Sequence, residues 1–120
     1  MTITPRPIDI KLHQNSRMLE ISFEDGKRFN MPCEYLRVYS PSAEVRGHGP
    51  GQEVLQLGKE GVNITAIEPV GHYAVVLKFD DGHDTGIYSW ETLYHLGVNQ
   101  QKNWARYLER LDAAGYQYKK

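Results

Sequence analysis

The stretch FDDGHDTGIYSW, residues 79–90, places three aspartates, a histidine and a threonine between two apolar ends. An Asp-Asp-Gly run after an apolar segment is typical of a hairpin turn, and residues 86–88 then predict the returning strand. Ser89 is a suitable helix N-cap, because its hydroxyl can accept an early backbone N–H. The stretch therefore predicts strand, turn, strand and helix, although its polar residues could also form a metal or catalytic site.

The rest of the chain repeats this kind of pattern. Alternating apolar residues at 8–12 and 19–23 predict two strands, and Glu24-Asp25-Gly26 predicts a turn much like Asp80-Asp81-Gly82. Each turn leads through a strand to a short helical segment, which suggests two similar units. Further elements are strands at 29–31, 64–67 and 73–79, short helices at 33–39 and 90–96 ending at Gly97, and an amphipathic helix from Asn99 to Gly115.

These elements predict an α+β fold. We expect a mainly antiparallel sheet of about five to seven strands built from hairpins, with short helices and a C-terminal amphipathic helix. At 120 residues the chain is the size of one domain, predicted to span 1–115, with a frayed tail at 116–120. Residues 40–61 are rich in glycine and proline, and they predict a long loop that is either mobile or functional.

Composition excludes several classes of protein. The chain has 14 Lys and Arg against 15 Asp and Glu, a balance that argues against nucleic-acid binding. Its longest apolar run, residues 73–77, is far shorter than the roughly 20 residues that cross a bilayer. The first twelve residues lack the apolar core of a signal peptide, so we expect a cytoplasmic protein. The single cysteine, Cys33, can form neither an intrachain disulfide nor a cysteine-based zinc cluster.

Catalytic motifs fit poorly. An iron dioxygenase triad needs a histidine and a carboxylate on one strand face, whereas His83 and Asp84 are adjacent and would point to opposite faces. The five histidines have no paired ligand spacing. The loop at 47–51 lacks the Gly-Lys-Ser/Thr ending of a phosphate-binding loop, and Pro50 removes an N–H donor. Cys33 could be a nucleophile only with a lowered pKa, and we expect it to be buried.

Four segments, in this order, carry a family resemblance: EYLRVYSPSAEV at 34–45, GHGPG at 47–51, IEPVG at 67–71 and DGHDTGIYSW at 81–90. Together they resemble the gamma-butyrobetaine hydroxylase-like N-terminal domain family. The resemblance extends to the helix around residues 93–94 and fits the bacterial form that stands alone. In that family the domain also precedes carnitine-synthesis dioxygenases and is joined to some iron–sulfur carrier ATPases.

The resemblance also implies that a zinc site present in some relatives is lost in this chain. Eukaryotic members hold a structural zinc with three cysteines and one histidine, and these places correspond here to Ser40, Ser42, Val45 and His83. With three ligands missing, we expect neither zinc nor another cofactor. We do expect the segment from Ser40 to Val45 to lie near the turn at 81–83, with hydrogen bonds in place of the metal.

Two functional hypotheses remain open. The first is a non-enzymatic accessory or binding module, linked to iron–sulfur or iron-enzyme systems through a protein partner, with no role for nucleic acid or membrane. Its candidate binding patch comprises Arg37, Ser40, Ser42, His48, His83, Asp84 and Trp90. The second is a metal-binding protein or weak metalloenzyme using His83, Asp81 and Asp84, with His48 as a further candidate.

Overall fold

The structure is a computed structural model that describes residues 4–47 and 51–118. It consists of six strands and four helices within those ranges. In chain order they are β1 (Pro7–His13), β2 (Met18–Phe23), β3 (Arg28–Pro32), α1 (Cys33–Val38), α2 (Ala43–Arg46), β4 (Ile64–Val70), β5 (Ala74–Phe79), β6 (Ile87–Ser89), α3 (Trp90–Val98) and α4 (Gln100–Ala113).

The strands form two antiparallel sheets, each of three strands. The first has the order β1-β2-β3 and the second the order β4-β5-β6. The predicted α+β class and the strand count are therefore confirmed. Two sheets form because each strand pairs only with strands next to it in the sequence within its set of three. A helix follows the third strand of each set.

The two sheets share one apolar core. Every second residue of the central strands β2 and β5 points into it, as the period of a half-buried strand requires. The buried residues of these strands include Leu19, Ile21, Phe23, Val75, Leu77 and Phe79. Helices α1 and α3 add further apolar residues to the same cluster, including Tyr35, Leu36, Leu93 and Leu96.

The two hairpin turns have the same backbone hydrogen bonds. In the first, the N–H of Phe23 donates to the carbonyl of Lys27 and the N–H of Gly26 donates to the carbonyl of Phe23. In the second, Phe79, His83 and Gly82 make the equivalent bonds. Both glycines have positive φ angles, 89° at Gly26 and 91° at Gly82, which other residues adopt at a cost. The similarity of the two predicted units thus extends to their turns.

The start of α3 agrees with the sequence, but its end does not. Ser89 caps the helix by accepting the N–H of Thr92 at 3.0 Å. Gly97, predicted to end the helix, instead lies inside it. A Cβ at Gly97 would come within 2.4 Å of the Phe29 ring, so this glycine permits close packing of α3 on β3. The helix ends instead at Val98.

Two other regions are more ordered than the sequence indicates. The predicted loop at 40–61 contains the short helix α2, whose N-cap Ser42 accepts the N–H of Glu44. In the segment predicted to fray, Tyr116 and Tyr118 make side-chain contacts with the rest of the protein. Their hydroxyls donate to the carboxylates of Glu60, at 2.7 Å, and Glu34, at 2.6 Å, and both rings pack against a small apolar cluster around Tyr107.

Candidate functional site

The turn between β5 and β6 directs His83 into the protein. Asp81 Oδ1 accepts the backbone N–H of His83 at 3.1 Å, which closes the turn on itself. Only 5% of His83 is exposed, whereas the neighbouring Asp84 is exposed. The first turn closes in the same way, with Asp25 accepting the N–H of Lys27 at 3.0 Å, but Lys27 is exposed. The second turn therefore supplies a buried imidazole where the first supplies a surface ammonium group.

Both ring nitrogens of His83 are hydrogen bonded. Nδ1 lies 2.9 Å from Glu44 Oε2, and Nε2 lies 2.9 Å from Ser40 Oγ. An ionised carboxylate can only accept, so this network assigns the ring proton to Nδ1 and makes Nε2 the acceptor of the Ser40 hydroxyl proton. Burial, followed by the nearby charge of Arg37, lowers the pKa of His83 despite the opposing effect of Glu44. The imidazole is therefore neutral near pH 7.

A second group of charges fixes the turn beside His83. Asp81 Oδ2 accepts from Arg37 Nε at 2.8 Å and from Lys59 Nζ at 2.7 Å. Partial burial acts to raise the pKa of Asp81, but the bonds from Lys59, from the His83 N–H and from Arg37 outweigh it and lower the pKa to about 2. Asp81 is thus a carboxylate at every physiological pH. Arg37 is 7% exposed, so this ion pair is largely buried on the arginine side.

Serine side chains join the end of α1 to the same turn. Ser42 Oγ lies 2.7 Å from Thr85 Oγ1, next to the Ser40–His83 bond. Gly86 makes the close approach possible, because a Cβ there would come within 2.4 Å of Ser40 Oγ. These seven residues are called the His83 network below: Arg37, Ser40, Ser42, Glu44, Asp81, His83 and Thr85.

The expected contact between residues 40–45 and the 81–83 turn is therefore confirmed. Three of the four positions that correspond to zinc ligands in the eukaryotic relatives take part in these hydrogen bonds. Ser40 bonds to His83, and Ser42 bonds to Thr85. Val45 is buried and has no donor atom for a metal. Hydrogen bonds occupy the His83 ring nitrogens that a metal would need.

The alternative metal candidates do not form a site among the described residues. Asp81 is already paired with two cations, and a further cation would compete with Arg37 and Lys59. Asp84 lies on the surface while His83 points inward. Residues 4–47 and 51–118 contain no cluster of three or more His, Cys, Asp or Glu side chains arranged to hold a metal ion.

The chain of Glu44, His83 and Ser40 has the order of an acid, a base and a nucleophile. Ser40, however, is only 1% exposed, and its oxygen also accepts the N–H of Ser42 at 3.2 Å. Gly86 covers it closely. A substrate carbonyl could not reach this oxygen without displacing the turn. The arrangement is therefore suited to holding the turn in place.

Burial also corrects the predicted binding patch. Arg37, Ser40, Ser42 and His83 come together, but inside the protein, so they cannot be a surface that a partner touches. Trp90 lies outside this network, and its indole N–H donates to the carbonyl of His72 at 2.7 Å. His48 lies outside the described residues. Cys33 is fully buried, as expected, and burial raises the pKa of its thiol, which makes it a poor nucleophile.

Sequence reasoning missed three members or neighbours of the network: Glu44, Thr85 and Lys59. A weak signal existed for Glu44, because a serine followed by an acidic residue is typical of the first turn of a helix. No local pattern indicated Lys59, since its contact with Asp81 spans 22 residues of sequence.

No helix in the described part of the chain is both long and apolar enough to cross a membrane.

Comparisons with known proteins agree with this structure. No match to the chain was found among curated proteins. Two proteins with NMR solution structures are similar to it. One is 57% identical, with a TM-score of 0.82, and the match covers 98% of this chain and 89% of that one. The other is 43% identical, with a TM-score of 0.83, covering 96% and 90%.

A third similar structure is a crystal structure from Acidithiobacillus ferrooxidans ATCC 23270. That protein belongs to the DUF971 family and has unknown function. It is 39% identical, with a TM-score of 0.65, and the match covers 77% of this chain and 92% of that one. Residues 10–94 match the family model described as gamma-butyrobetaine hydroxylase-like, N-terminal. The match spans both hairpins and the whole His83 network, and the chain therefore belongs to the gamma-butyrobetaine hydroxylase-like N-terminal domain family.

Proposed function

We propose that the chain is a non-enzymatic binding module that contacts a partner protein through the outer edge of its second sheet. The partner proposed is an iron–sulfur carrier or an iron enzyme, because other members of the family are fused to such proteins. The inward-facing chemistry of the His83 network supports a structural task for those residues, which leaves recognition to the surface beside them.

The observation that carries the proposal is an exposed apolar surface on the edge strand β6. Ile87 of β6 is 50% exposed, and Tyr73, in the turn before β5, is 61% exposed. Among the residues that the structure describes, β6 pairs only with β5, so its other edge can accept a partner strand. We assign four residues to this surface and call it the β6 face: the exposed Tyr73, Asp84 and Ile87, and the half-buried Trp90.

The β6 face is held rigidly, which reduces the entropy lost on binding. The N–H of Trp90 donates to the carbonyl of Tyr73 at 3.0 Å, and the indole N–H bond to His72 fixes the ring. On the other side, the Ser42–Thr85 bond holds the segment that leads into β6. A large aromatic residue with a fixed orientation is a common energetic centre of protein interfaces.

The test is an NMR titration of the labelled chain with an iron–sulfur carrier ATPase. We expect the amide signals of residues 73 and 84–90 to shift on binding. Ile87→Lys should weaken binding at least about tenfold, because a charge would be buried at the interface. Ile8→Lys is the matched control, since Ile8 is 70% exposed on β1, the edge strand of the other sheet.

Equal losses for the two variants would contradict the assignment of the β6 face. Shifts confined to other parts of the chain would contradict it as well. If no carrier or iron enzyme shifts any signal, the proposed partner class is wrong.

A further inference from the structure

A cleft of about 560 Å³ lies between the helices. The last turn of α1 and residues 39–41 line it together with one side of α3 and α4. The opposite wall is formed by α2 and residues 51–54, which are joined by a bond from the N–H of Val54 to the carbonyl of Val45 at 2.8 Å. Clefts of this size, roughly 300 to 1,000 Å³, are typical of sites for small molecules.

The charged groups of the cleft come from all of its walls. Arg46 lies on α2, Arg106 and Arg110 lie on α4, and His95 lies on α3. Two carboxylates, Glu53 and Glu91, also line the cleft. Positive charge therefore exceeds negative charge even with the histidine neutral.

The three arginines have no carboxylate partner in the described structure. No ion pair among the described residues, with nitrogen and oxygen up to 4.0 Å apart, includes any of these three arginines. Arg106 and Arg110 are four residues apart on α4, where like charges repel each other. Both also act on the Tyr39 hydroxyl: burial raises its pKa, and the two guanidinium groups oppose that rise. Both arginines line the cleft together with Tyr39.

We propose that this cleft binds a small oxyanion with at least two negative charges, a phosphate ester or a dicarboxylate, held by Arg46, Arg106 and Arg110. Guanidinium groups suit this ligand because their paired N–H donors match the spacing of two oxygens on phosphate or carboxylate. A bound dianion would also relieve the repulsion between Arg106 and Arg110. Glu53 and Glu91 would exclude ligands that carry negative charge along their whole length, such as nucleic acid.

The proposal can be tested with inorganic phosphate, succinate and acetate, each titrated into the labelled full chain at constant ionic strength adjusted with NaCl. We expect saturable shifts of the amides of Ser40, Thr92 and Asn103, which lie around the cleft, with phosphate, succinate or both. Acetate, with one charge, should bind at least about tenfold more weakly. The ligand that binds should also raise the melting temperature. A saturating response to phosphate alone identifies a phosphate ester, and one to succinate alone identifies a dicarboxylate.

Variants separate a specific site from general surface charge. The pair R106Q/R110Q should weaken binding at least about tenfold, because charge-assisted bonds are lost. K102Q, on the same helix but outside the cleft, is the matched control and should change affinity by less than about twofold. R46Q, on the opposite wall, is the independent check if the double variant is unstable. The proposal fails if no dianion saturates the shifts below about 10 mM, or if K102Q weakens binding as much as R106Q/R110Q or R46Q.

Discussion

Replacement of Asp81 by asparagine should destabilise the fold by about 2 kcal/mol at pH 7. The depression of its pKa from 3.8 to about 2 would be worth about 2.4 kcal/mol at full strength. Solvent reaches 22% of the Asp81 side chain, so screening reduces this to about 1 kcal/mol. The upper limit is about 3 kcal/mol, the low end of the cost of breaking a buried ion pair, because the substitution leaves the Arg37 side chain, which is 8% exposed, without its partner charge.

The pH dependence provides a sharper test than the magnitude. The pKa of Asp81 is depressed in the folded protein, so its stabilising contribution is complete above about pH 4 and is lost as pH falls through about 2. Urea unfolding of both proteins should therefore show a large difference at pH 7 that shrinks towards pH 2. The amide of the variant cannot titrate, and the unmodified protein loses the carboxylate charge in acid.

Asp84→Asn is the matched control, because Asp84 lies three residues away and is exposed. It should change the free energy of unfolding by less than about 0.5 kcal/mol. The reasoning is refuted if the two variants are equally stable at pH 7. It is also refuted if the Asp81→Asn difference is as large at pH 2.5 as at pH 7, because the loss would then not depend on the Asp81 charge.

Three further predictions concern packing, protonation and the lost metal site. Gly97→Ala should destabilise by about 1 to 3 kcal/mol in thermal unfolding, because its Cβ would strike the Phe29 ring, whereas Gly61→Ala, with nothing within 4 Å, should be close to neutral. Burial, and to a smaller extent the neighbouring Glu60, raises the pKa of Glu34, so the contribution of Glu34 to stability falls as pH rises through that pKa. Glu34→Gln should therefore raise the melting temperature more at pH 8 than at pH 4.5. An equal effect at the two pH values would show that the Glu34 charge is not the cause. The triple variant S40C/S42C/V45C should bind one zinc ion through its three thiolates and His83 in metal analysis, and no uptake would show that the correspondence with the zinc-bearing relatives is wrong.

The local parts of the fold can be predicted from the sequence because they depend on neighbouring residues. Strand alternation at 19–23, the two Asp-Gly turns and the Ser89 cap all follow from contacts within a few residues. The division into two sheets cannot, because hairpin patterns do not specify which outer strands meet. Gly97 resembles a helix end because glycine commonly ends helices, while its packing against Phe29 depends on a residue far away in sequence.

The candidate site divides in the same way. The family resemblance predicts that residues 40–45 lie near the 81–83 turn, and this proximity is confirmed. The inward direction of His83 is not predicted, because polarity favours exposure and the cost of burial is offset by hydrogen bonds to residues distant in the sequence. The cleft arginines come from two segments far apart in the chain, and no periodicity in the sequence links Arg46 to Arg106.

The bonds of the His83 network also bear on how the protein folds and unfolds. The pairs Arg37–Asp81, Ser40–His83 and Ser42–Thr85 are separated by 44, 43 and 43 residues, and each joins the end of the first three-stranded unit to the turn of the second. Each hairpin unit can form from local contacts, while these bonds require both units to be in place. We therefore expect these bonds to form after the hairpins during folding and, together with the shared core, to couple the unfolding of the two units.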